Sequence, residues 1–369
     1  MFPQKSSEVY RKPDSHQPPP NVELAGNLEY PNLNAADLSA RLENLSLRLF
    51  GSWDSISMNE QNHFAIATNR REGGEWWGVF FGYSKENLKH MTVENADYKL
   101  QSSHTVNIVR YAGNNVLLVA LGDTKLQAWS TYSKVRDPKS PYCLFMVGEP
   151  AAHPTPISHL SVFKSEPQKA VSASPDGTLN MWNFSGADLV SSYRTNYAHT
   201  DKLTGMATPV SNANQFVTCD RGGCARIWDA RAAAPSSMTL YNDASHMISF
   251  TCAAWAKPTE LQGDNYIYFG DFDGNVHTID IRVPKKFAET LQYFDDSIIS
   301  QLSINGCHLA VMGNQPAGVK IAKKHDNGKH EIIYTNTDTH DRLTDAVWTD
   351  AQTLLTIGYG RKMAKHSIA

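Results

Sequence analysis

The side chains that could do chemistry are spread along this chain of 369 residues without a catalytic pattern. Cys219 and Cys224 bracket a short turn as half of a zinc site would, but no second pair of ligands follows at a matching distance. The segment Gly270–Asn275 (GDFDGN) is similar to a calcium loop, yet it lacks the glutamate that completes such loops. The sequence also has no nucleophile-elbow, phosphate-loop or His-Glu-x-x-His motif. We therefore predict a protein with no catalytic, metal or cofactor site.

These same residues belong to a repeated pattern of strands and turns. Four segments align, namely VALGDTKLQAW, SASPDGTLNMW, TCDRGGCARIW and FGDFDGNVHTI. Each has an apolar strand, a short turn, an alternating strand and a large apolar residue. Those final residues are Trp129, Trp182, Trp228 and Ile279, at steps of 53, 46 and 51 residues. Steps of this size are typical of four-stranded blades in a β-propeller.

The turns of the repeat predict a hydrogen-bonded network in each blade. Asp-Gly pairs, as at Asp176 and Asp273, suit two-residue hairpins because both residues tolerate positive φ. The pattern resembles WD-repeat proteins, in which an Asp at this position binds the turn and joins an upstream His and the Trp. Gly222 replaces the Asp in one repeat. The network residues that the resemblance implies are Asp123, Trp129, His159, Asp176, Trp182, His199, Trp228 and Asp273.

The number of repeats predicts a closed ring. Seven segments have the pattern of an inner strand: WDSISMN, TVNIVRY, ISHLSVF, LTGMATP, FTCAAWA, ISQLSIN and LTDAVWT. We therefore predict an all-β, seven-bladed WD-repeat β-propeller over residues 22–369. The seventh repeat is one strand short, and a segment within 22–50 is expected to supply that strand or a short helix. The polar, proline-rich residues 1–21 are predicted to be a flexible, disordered tail.

The composition limits which classes of partner and which compartment we expect. The formal net charge is -3, so no basic surplus indicates nucleic-acid binding. Apolar runs are too short to cross a membrane, and the N-terminus does not resemble a secretory signal. The five cysteines are odd in number and scattered, which does not favour a disulfide framework. We expect a cytoplasmic protein, with the nucleus as a second location, whose partners are neither nucleic acids nor membranes.

Two adjacent tryptophans stand out in the first repeat. The stretch REGGEWWGVFFGY places Trp76 and Trp77 directly after a glycine-rich turn. Because neighbouring residues of a strand point to opposite faces, the two rings are not expected to share one buried face. We expect Trp76 to point outward as a partner-binding residue and Trp77 to point inward. The alternative is that the local fold buries both rings.

Several segments resemble the methylosome WD-repeat subunits. They are DLVSSYR, AHTDKLTGMA, RIWDARAAAP, HDRLTDAVW, TLLTIGYG and, in the first blade, EWWG. The resemblance implies a non-catalytic scaffold that binds a symmetric protein arginine methyltransferase. It also implies that Sm proteins or histones are presented as substrates and that Tudor-domain proteins are further partners. In that family a Trp on a first-blade loop inserts into the methyltransferase, and the matching residue here is Trp76.

A second resemblance leaves an alternative function open. In the segment IWDAR, the residues Trp228, Asp229 and Arg231 resemble the box by which WD-repeat substrate receptors dock onto cullin-4 ubiquitin ligases. A Trp-Asp pair is also the ordinary end of a repeat strand, and the Arg can pair with a nearby carboxylate. The alternatives to a methylosome scaffold are therefore such a substrate receptor or a generic protein-interaction propeller.

Overall fold

The chain folds into seven antiparallel sheets that follow one another along the sequence. A computed structural model describes residues 52–368, with gaps at 73–74, 92–94, 134–141, 151, 186–187, 233–237, 244, 246, 257–264, 296, 315–316, 326–328, 338–341 and 360–362. The tail over 1–21 and the segment 22–50, with its expected closing strand or helix, lie outside the described residues. The helical structure in the described part does not include a segment that is long and apolar enough to span a membrane.

Each sheet is one blade, so the predicted all-β, seven-bladed propeller is confirmed. Blade 1 consists of β1 (Ser52–Met58), β2 (Phe64–Glu72), β3 (Glu75–Tyr83) and β4 (Tyr98–Ser102). Blade 2 consists of β5 (Val106–Ala112), β6 (Val116–Leu121), β7 (Leu126–Ser133) and β8 (Tyr142–Gly148). Blade 3 consists of β9 (His159–Val162), β10 (Lys169–Ala173), β11 (Leu179–Ser185) and β12 (Asp188–Thr195). Blades 4 and 5 consist of β13 (Leu203–Ala207), β14 (Gln215–Asp220), β15 (Cys224–Asp229) and β16 (Met238–Asn242); and β17 (Phe250–Trp255), β18 (Tyr266–Asp271), β19 (Asn275–Asp280) and β20 (Glu289–Gln292). Blade 6 consists of β21 (Ile299–Asn305), β22 (His308–Asn314), β23 (Ala317–Lys324) and β24 (His330–Asn336), and blade 7 of β25 (Leu343–Trp348), β26 (Thr353–Gly358) and β27 (Met363–Ser367).

The apolar core lies between the blades. Each hydrophobic cluster joins two successive sheets, because the second and third strands of a blade are buried on both faces and carry nearly continuous apolar runs. Leu118 and Leu126 of blade 2, for example, pack with Trp182 of blade 3. Leu355 and Ile357 of blade 7 belong to one cluster with Trp53, Ile56 and Phe64 of blade 1. The last described blade therefore packs directly against the first, and the ring is closed.

The inner strands share a recurring irregularity at their second or third residue. In six of the seven, the register with the neighbouring strand skips one residue, as a β-bulge does. The skipped residues are Asp54, Asn107, Thr204, Thr251, Ser300 and Thr344. Because these residues are skipped in the pairing, their side chains do not follow the regular alternation between the two faces of the sheet. They can therefore reach the central channel and the adjacent blade.

Most of the skipped side chains connect one blade to the next. The Thr204 hydroxyl donates to the Phe250 carbonyl at 2.7 Å, and the Asn107 amide donates to the Ile157 carbonyl at 3.3 Å. The same connection is made by Thr251 to Ile299 and, across the closure, by Thr344 to Trp53. We call these contacts the inter-blade stitches. Because the acceptor is always a backbone carbonyl, they fix the spacing of the inner strands around the channel.

A buried carboxylate ties four blades together at the closure. Asp345 of β25 accepts hydrogen bonds from the Ser55 hydroxyl at 2.9 Å and the Ile56 amide at 3.0 Å in blade 1. It also accepts from Arg110 of blade 2 at 2.8 Å and from the Gln301 amide of blade 6 at 2.7 Å. The Arg110–Asp345 ion pair thus lies across the channel, and its contacts span blades 6, 7, 1 and 2.

Candidate protein-docking site

Blade 1 carries a hairpin that projects beyond the rest of its sheet. The pairing of β2 with β3 extends through Arg70 with Trp77 and Arg71 with Trp76. The fourth strand pairs with β3 only from Gly78 onward. Among the described residues, the last pairs of the hairpin are therefore a two-stranded ribbon without a neighbour in the sheet. In the sequence, the polar residues around two glycines already indicated this hairpin.

The two tryptophans lie on opposite sides of this ribbon. Register is continuous from Trp76 to Phe81, so side chains alternate without interruption. Phe80, which shares a side with Trp76, packs in the cluster between blades 1 and 2. Phe81, which shares a side with Trp77, packs in the cluster between blades 1 and 7. Trp76 is 52% exposed, whereas Trp77 is half-buried.

Gly78 fixes the direction of the hairpin. A Cβ atom at this position would lie 2.5 Å from the Val106 nitrogen and 2.6 Å from the His104 oxygen. Both atoms belong to the backbone that connects blade 1 to blade 2, so they cannot move aside as a side chain could. The strand therefore passes against that connection only because residue 78 has no side chain. This contact positions Trp76 at the margin of blades 1 and 2.

Four of the eight predicted network residues, Asp176, Trp182, His199 and Trp228, form interior networks, as in blade 4. The indole of Trp228 donates to the Thr218 hydroxyl at 2.7 Å, and that hydroxyl lies 2.6 Å from Nε2 of His199. Nδ1 of His199 lies 2.8 Å from Asp220. The chain of donors therefore runs from indole to hydroxyl to imidazole to carboxylate, and all four residues are buried. The acid is Asp220, two residues before Gly222, at a position that the sequence pattern did not identify.

In blade 3 the histidine of the network differs from the predicted one. His153 lies 2.7 Å from the Ser172 hydroxyl, to which Trp182 also donates at 2.8 Å. Asp176 joins through the Ser174 hydroxyl and accepts from the Thr178 amide at 2.9 Å. The prediction that His159 contacts Asp176 is wrong. The connection before blade 3 is long, and it returns His153 to the turn.

His159 instead belongs to the inner strand and the channel. Its ring lies 2.8 Å from the Ser158 hydroxyl through Nδ1, and its Nε2 donates to the Thr204 carbonyl at 2.9 Å. It therefore takes the place of a stitch in the one inner strand without a register shift. Burial lowers the pKa of this imidazole to about 4, so the ring is neutral at pH 7.

Two of the predicted turn aspartates also differ from expectation. Asp273 is exposed, and Asp271 is the network carboxylate, since it accepts from the Asn275 amide at 2.7 Å and from His277 at 2.9 Å. Asp123 of blade 2 is half-buried, and its carboxylate lies 3.5 Å from Nδ1 of His104. The indole of Trp129 donates to the Gln127 side chain at 2.9 Å, not to a hydroxyl linked to a histidine. The described residues of blade 2 therefore do not form the network that the resemblance implied.

One cluster in these networks has the composition of a metal site. The ligand atoms of His199, Asp220 and Cys224 lie within 4.8 Å of one another. Both ring nitrogens of His199 already have hydrogen-bond partners, and Asp220 also accepts from the Cys224 amide at 2.9 Å. Burial raises the pKa of the Cys224 thiol, which keeps it protonated. The cluster is explained as part of the blade 4 network.

The Trp-Asp-x-Arg segment contributes a paired guanidinium at the surface. Arg231 binds Asp229 side-on, with Nε at 2.9 Å and Nη2 at 2.6 Å from the two carboxylate oxygens. Blade 5 repeats this geometry, since Nε and Nη2 of Arg282 lie 2.9 Å and 2.6 Å from the two carboxylate oxygens of Asp280. This second pair was not predicted from the sequence. Each Arg holds the pKa of its partner carboxyl below the usual range. Trp228 itself is fully buried, so only the arginines face solvent.

Comparisons with known proteins agree with this architecture. The family described as WD domain, G-beta repeat, matches residues 190–229, from the outer strand of blade 3 through the third strand of blade 4. Protein valois of Drosophila melanogaster is 67% identical over 368 residues, which cover 100% of this chain and 100% of that protein.

The fold is also similar to solved propellers. Sqt1 from Chaetomium thermophilum superposes with a TM-score of 0.65 at 11% identity, covering 84% of this chain and 79% of that one. Sqt1 bound to the N-terminus of the ribosomal protein L10 gives 0.65 at 10% identity, with 86% and 97% covered. At such low identity these structures show a common fold alone.

Proposed function

Because this chain belongs to the Valois family of WD-repeat proteins, we propose that it is a non-catalytic adaptor that docks a symmetric protein arginine methyltransferase in a methylosome-like complex. Sm proteins or histones would be the substrates it helps to present, and Tudor-domain proteins would read the product. The cytoplasm is the proposed site of action, with the nucleus as a second location. The resemblance to the methylosome WD-repeat subunits supports the partner, and the hairpin of blade 1 supplies the surface.

The exposed Trp76 is the observation that carries this proposal. An indole that is 52% exposed leaves a large apolar area in water, which is unfavourable unless a partner covers it. Tryptophan is also the residue type most enriched at the energetic centre of interfaces. The ribbon presents the ring beyond the sheet, and Gly78 holds the ribbon in place. A pocket on the methyltransferase could therefore receive Trp76 with little rearrangement of the propeller.

The decisive variant is Trp76→Ala, tested for binding to the purified methyltransferase. We expect a loss of about 2–4 kcal/mol, or roughly thirty- to thousand-fold in Kd, because the truncation empties the pocket. The thermal midpoint should stay unchanged, since the ring is exposed in the isolated protein. Isothermal titration calorimetry and a thermal melt give the two readouts.

A matched control separates anchoring from general stickiness. Tyr197 is 85% exposed on the connection between blades 3 and 4, so Tyr197→Ala removes a comparable ring from another surface. That variant should bind the methyltransferase as the unaltered protein does. Equal affinity of Trp76→Ala and Tyr197→Ala would contradict the proposed docking residue.

The repeated Asp-x-Arg geometry favours a second candidate function. Arg231 and Arg282 bind their aspartates with the same geometry on neighbouring blades, and the box at Arg231 is the one that resembles cullin-4 substrate receptors. Under this alternative, the purified adaptor should bind the chain, and Arg231→Ala combined with Arg282→Ala should abolish that binding. Trp76→Ala should then have no effect. Binding that is insensitive to both arginines would exclude this candidate.

A further inference from the structure

The central channel contains a cavity at the end where the inner strands begin. Its volume is about 360 Å³, and inner-strand residues of all seven blades line it. Arg110, Gln301 and Asp345 line both this cavity and a second one of about 450 Å³ toward the other end of the channel. The ion pair and the amide thus lie between the two cavities. A molecule that enters the first cavity meets this polar floor.

The charge in this cavity is not balanced. Asp54 lines it, and its Oδ2 accepts hydrogen bonds from the Ser52 hydroxyl and the Asn69 amide, both at 2.8 Å. Within the described residues, no lysine or arginine forms an ion pair with Asp54. The one arginine of the wall, Arg110, is already paired with Asp345. The Asp54 carboxylate therefore has only neutral hydrogen-bond partners. Burial raises its pKa because the charged form is not compensated by a cation.

The rest of the wall favours a cation over an anion. The hydroxyls of Thr204, Thr251 and Thr344 use their hydrogens in the inter-blade stitches. Their oxygens retain lone pairs and are therefore available as acceptors. His159 has both ring nitrogens in hydrogen bonds and is neutral at pH 7. The cavity thus offers one carboxylate and several acceptor oxygens, and its one wall cation is already neutralised.

We propose that this cavity binds one arginine side chain, with its guanidinium against the Asp54 carboxylate. Arginine fits better than lysine or a metal ion because its planar group carries five donors and is weakly hydrated. Those donors match a carboxylate that is surrounded by hydroxyl oxygens. A long, narrow side chain also fits a well of about 360 Å³. We take this arginine to come from the tail of a protein partner, and that part of the inference rests on the proposed adaptor function.

The test uses the full chain and no methyltransferase, so it can fail independently of the proposed docking. Calorimetry would compare the peptide acetyl-Gly-Arg-Gly-amide with its citrulline and lysine counterparts and with L-arginine. We expect saturable binding of the arginine peptide. Asp54→Asn should weaken it by about ten- to a hundred-fold, because a charge-assisted pair becomes a neutral one. Tighter binding of L-arginine than of the peptide would overturn a protein tail as the ligand.

Two further variants protect the result from a folding artefact. Asp201→Asn removes an exposed carboxylate on the connection before β13 and should leave binding unchanged. Ser300→Phe fills the cavity without altering Asp54 and should abolish binding while circular dichroism still shows a folded propeller. Equal binding of the citrulline or lysine peptide, or unchanged binding by Asp54→Asn and Ser300→Phe, would overturn the assignment.

Discussion

At the scale of single residues, the packing between blades controls protonation. His153 lies between two serine hydroxyls, and His159 lies between a hydroxyl and a backbone carbonyl. Burial lowers the pKa of each imidazole to about 4, because it outweighs the opposing effects of Asp176 on His153 and of the Thr204 carbonyl on His159. His199 differs, since it lies 2.8 Å from Asp220. Histidines of similar depth therefore have different electrostatic environments.

This difference predicts how stability depends on pH. The unfolded chain binds protons at His153 and His159 near pH 6.5, whereas the folded protein binds them only near pH 4. Their contribution is complete above pH 6.5 and is lost as the pH falls toward 4. We expect a loss of about 2 kcal/mol for each imidazole between pH 7 and pH 5. Urea unfolding across this range would measure it, and His153→Gln should flatten the slope. A parallel slope in that variant would contradict the assignment.

At the scale of the element, the hairpin of blade 1 depends on a close backbone contact. β3 runs so close to the connection between blades 1 and 2 that a Cβ atom has no room at Gly78. The outer end of the hairpin is therefore supported on one side by the start of blade 2, although no other described strand of its own sheet pairs with it there. Its orientation is a property of two blades together.

Gly78→Ala should disturb both stability and docking. The new methyl group would meet backbone atoms at 2.5 and 2.6 Å, so the strand or the connection must shift. We expect a destabilisation of about 1–3 kcal/mol, as in overpacked sites, and weaker methyltransferase binding. Gly306→Asn is the control, because nothing lies within 4 Å of its Cβ position and Asn tolerates its positive φ of 58°. If the two variants behaved alike in urea unfolding and binding, the close contact would not be the cause.

The strands and hairpins were predictable from the sequence, and the register of the networks was not. Alternation and Asp-Gly turns locate β18 and β19, but Asp271 and Asp273 both border the same turn. Only the geometry of the hairpin decides that Asp271 points inward. Similarly, His153 precedes blade 3 and His159 is its first residue, and the path of the connection decides which of them reaches Ser172. The exposed Trp76 was predictable because a doubled Trp after glycines conflicts with burial on one face.

At the scale of the whole molecule, closure depends on contacts between distant parts of the chain. Arg110 and Asp345 are separated by 235 positions, so no local spacing could have predicted their pairing. The pair joins the second blade to the seventh, and Ser55 and Gln301 extend the contact to the first and sixth. Closure of the ring is therefore expected to be sensitive to this one carboxylate.

Asp345→Ala should destabilise the ring strongly. The side chain of Asp345 is only 5% exposed, and its loss leaves the Arg110 guanidinium without its ion-pair partner. We expect a decrease of about 3–5 kcal/mol in the free energy of unfolding, as for other broken buried pairs. Arg282→Ala, which breaks a surface pair, should not change the urea midpoint measurably. A similar midpoint for both variants would argue against a closure role for Asp345.

The outer edge of blade 7 motivates a second test of closure. Blade 7 has three strands in the described part of the chain, and β27 is its outermost. If the part of the segment 22–50 that precedes residue 31 pairs with β27, deletion of residues 1–30 should lower the thermal midpoint much more than deletion of residues 1–15, because it removes strand hydrogen bonds. Melts of the two truncated proteins would decide this. Equal midpoints would exclude a closing strand between residues 16 and 30.

The inter-blade stitches have a consequence for how such a ring can change during evolution. Each stitch uses a side chain from one blade and a main-chain oxygen from the next, as Thr204 does with Phe250. Every residue type carries that oxygen, so a substitution in the receiving blade leaves the acceptor intact. Neighbouring blades need not covary at these positions. Individual blades can therefore acquire new surface sequences, such as the tryptophan hairpin, while adhesion around the channel is inherited unchanged.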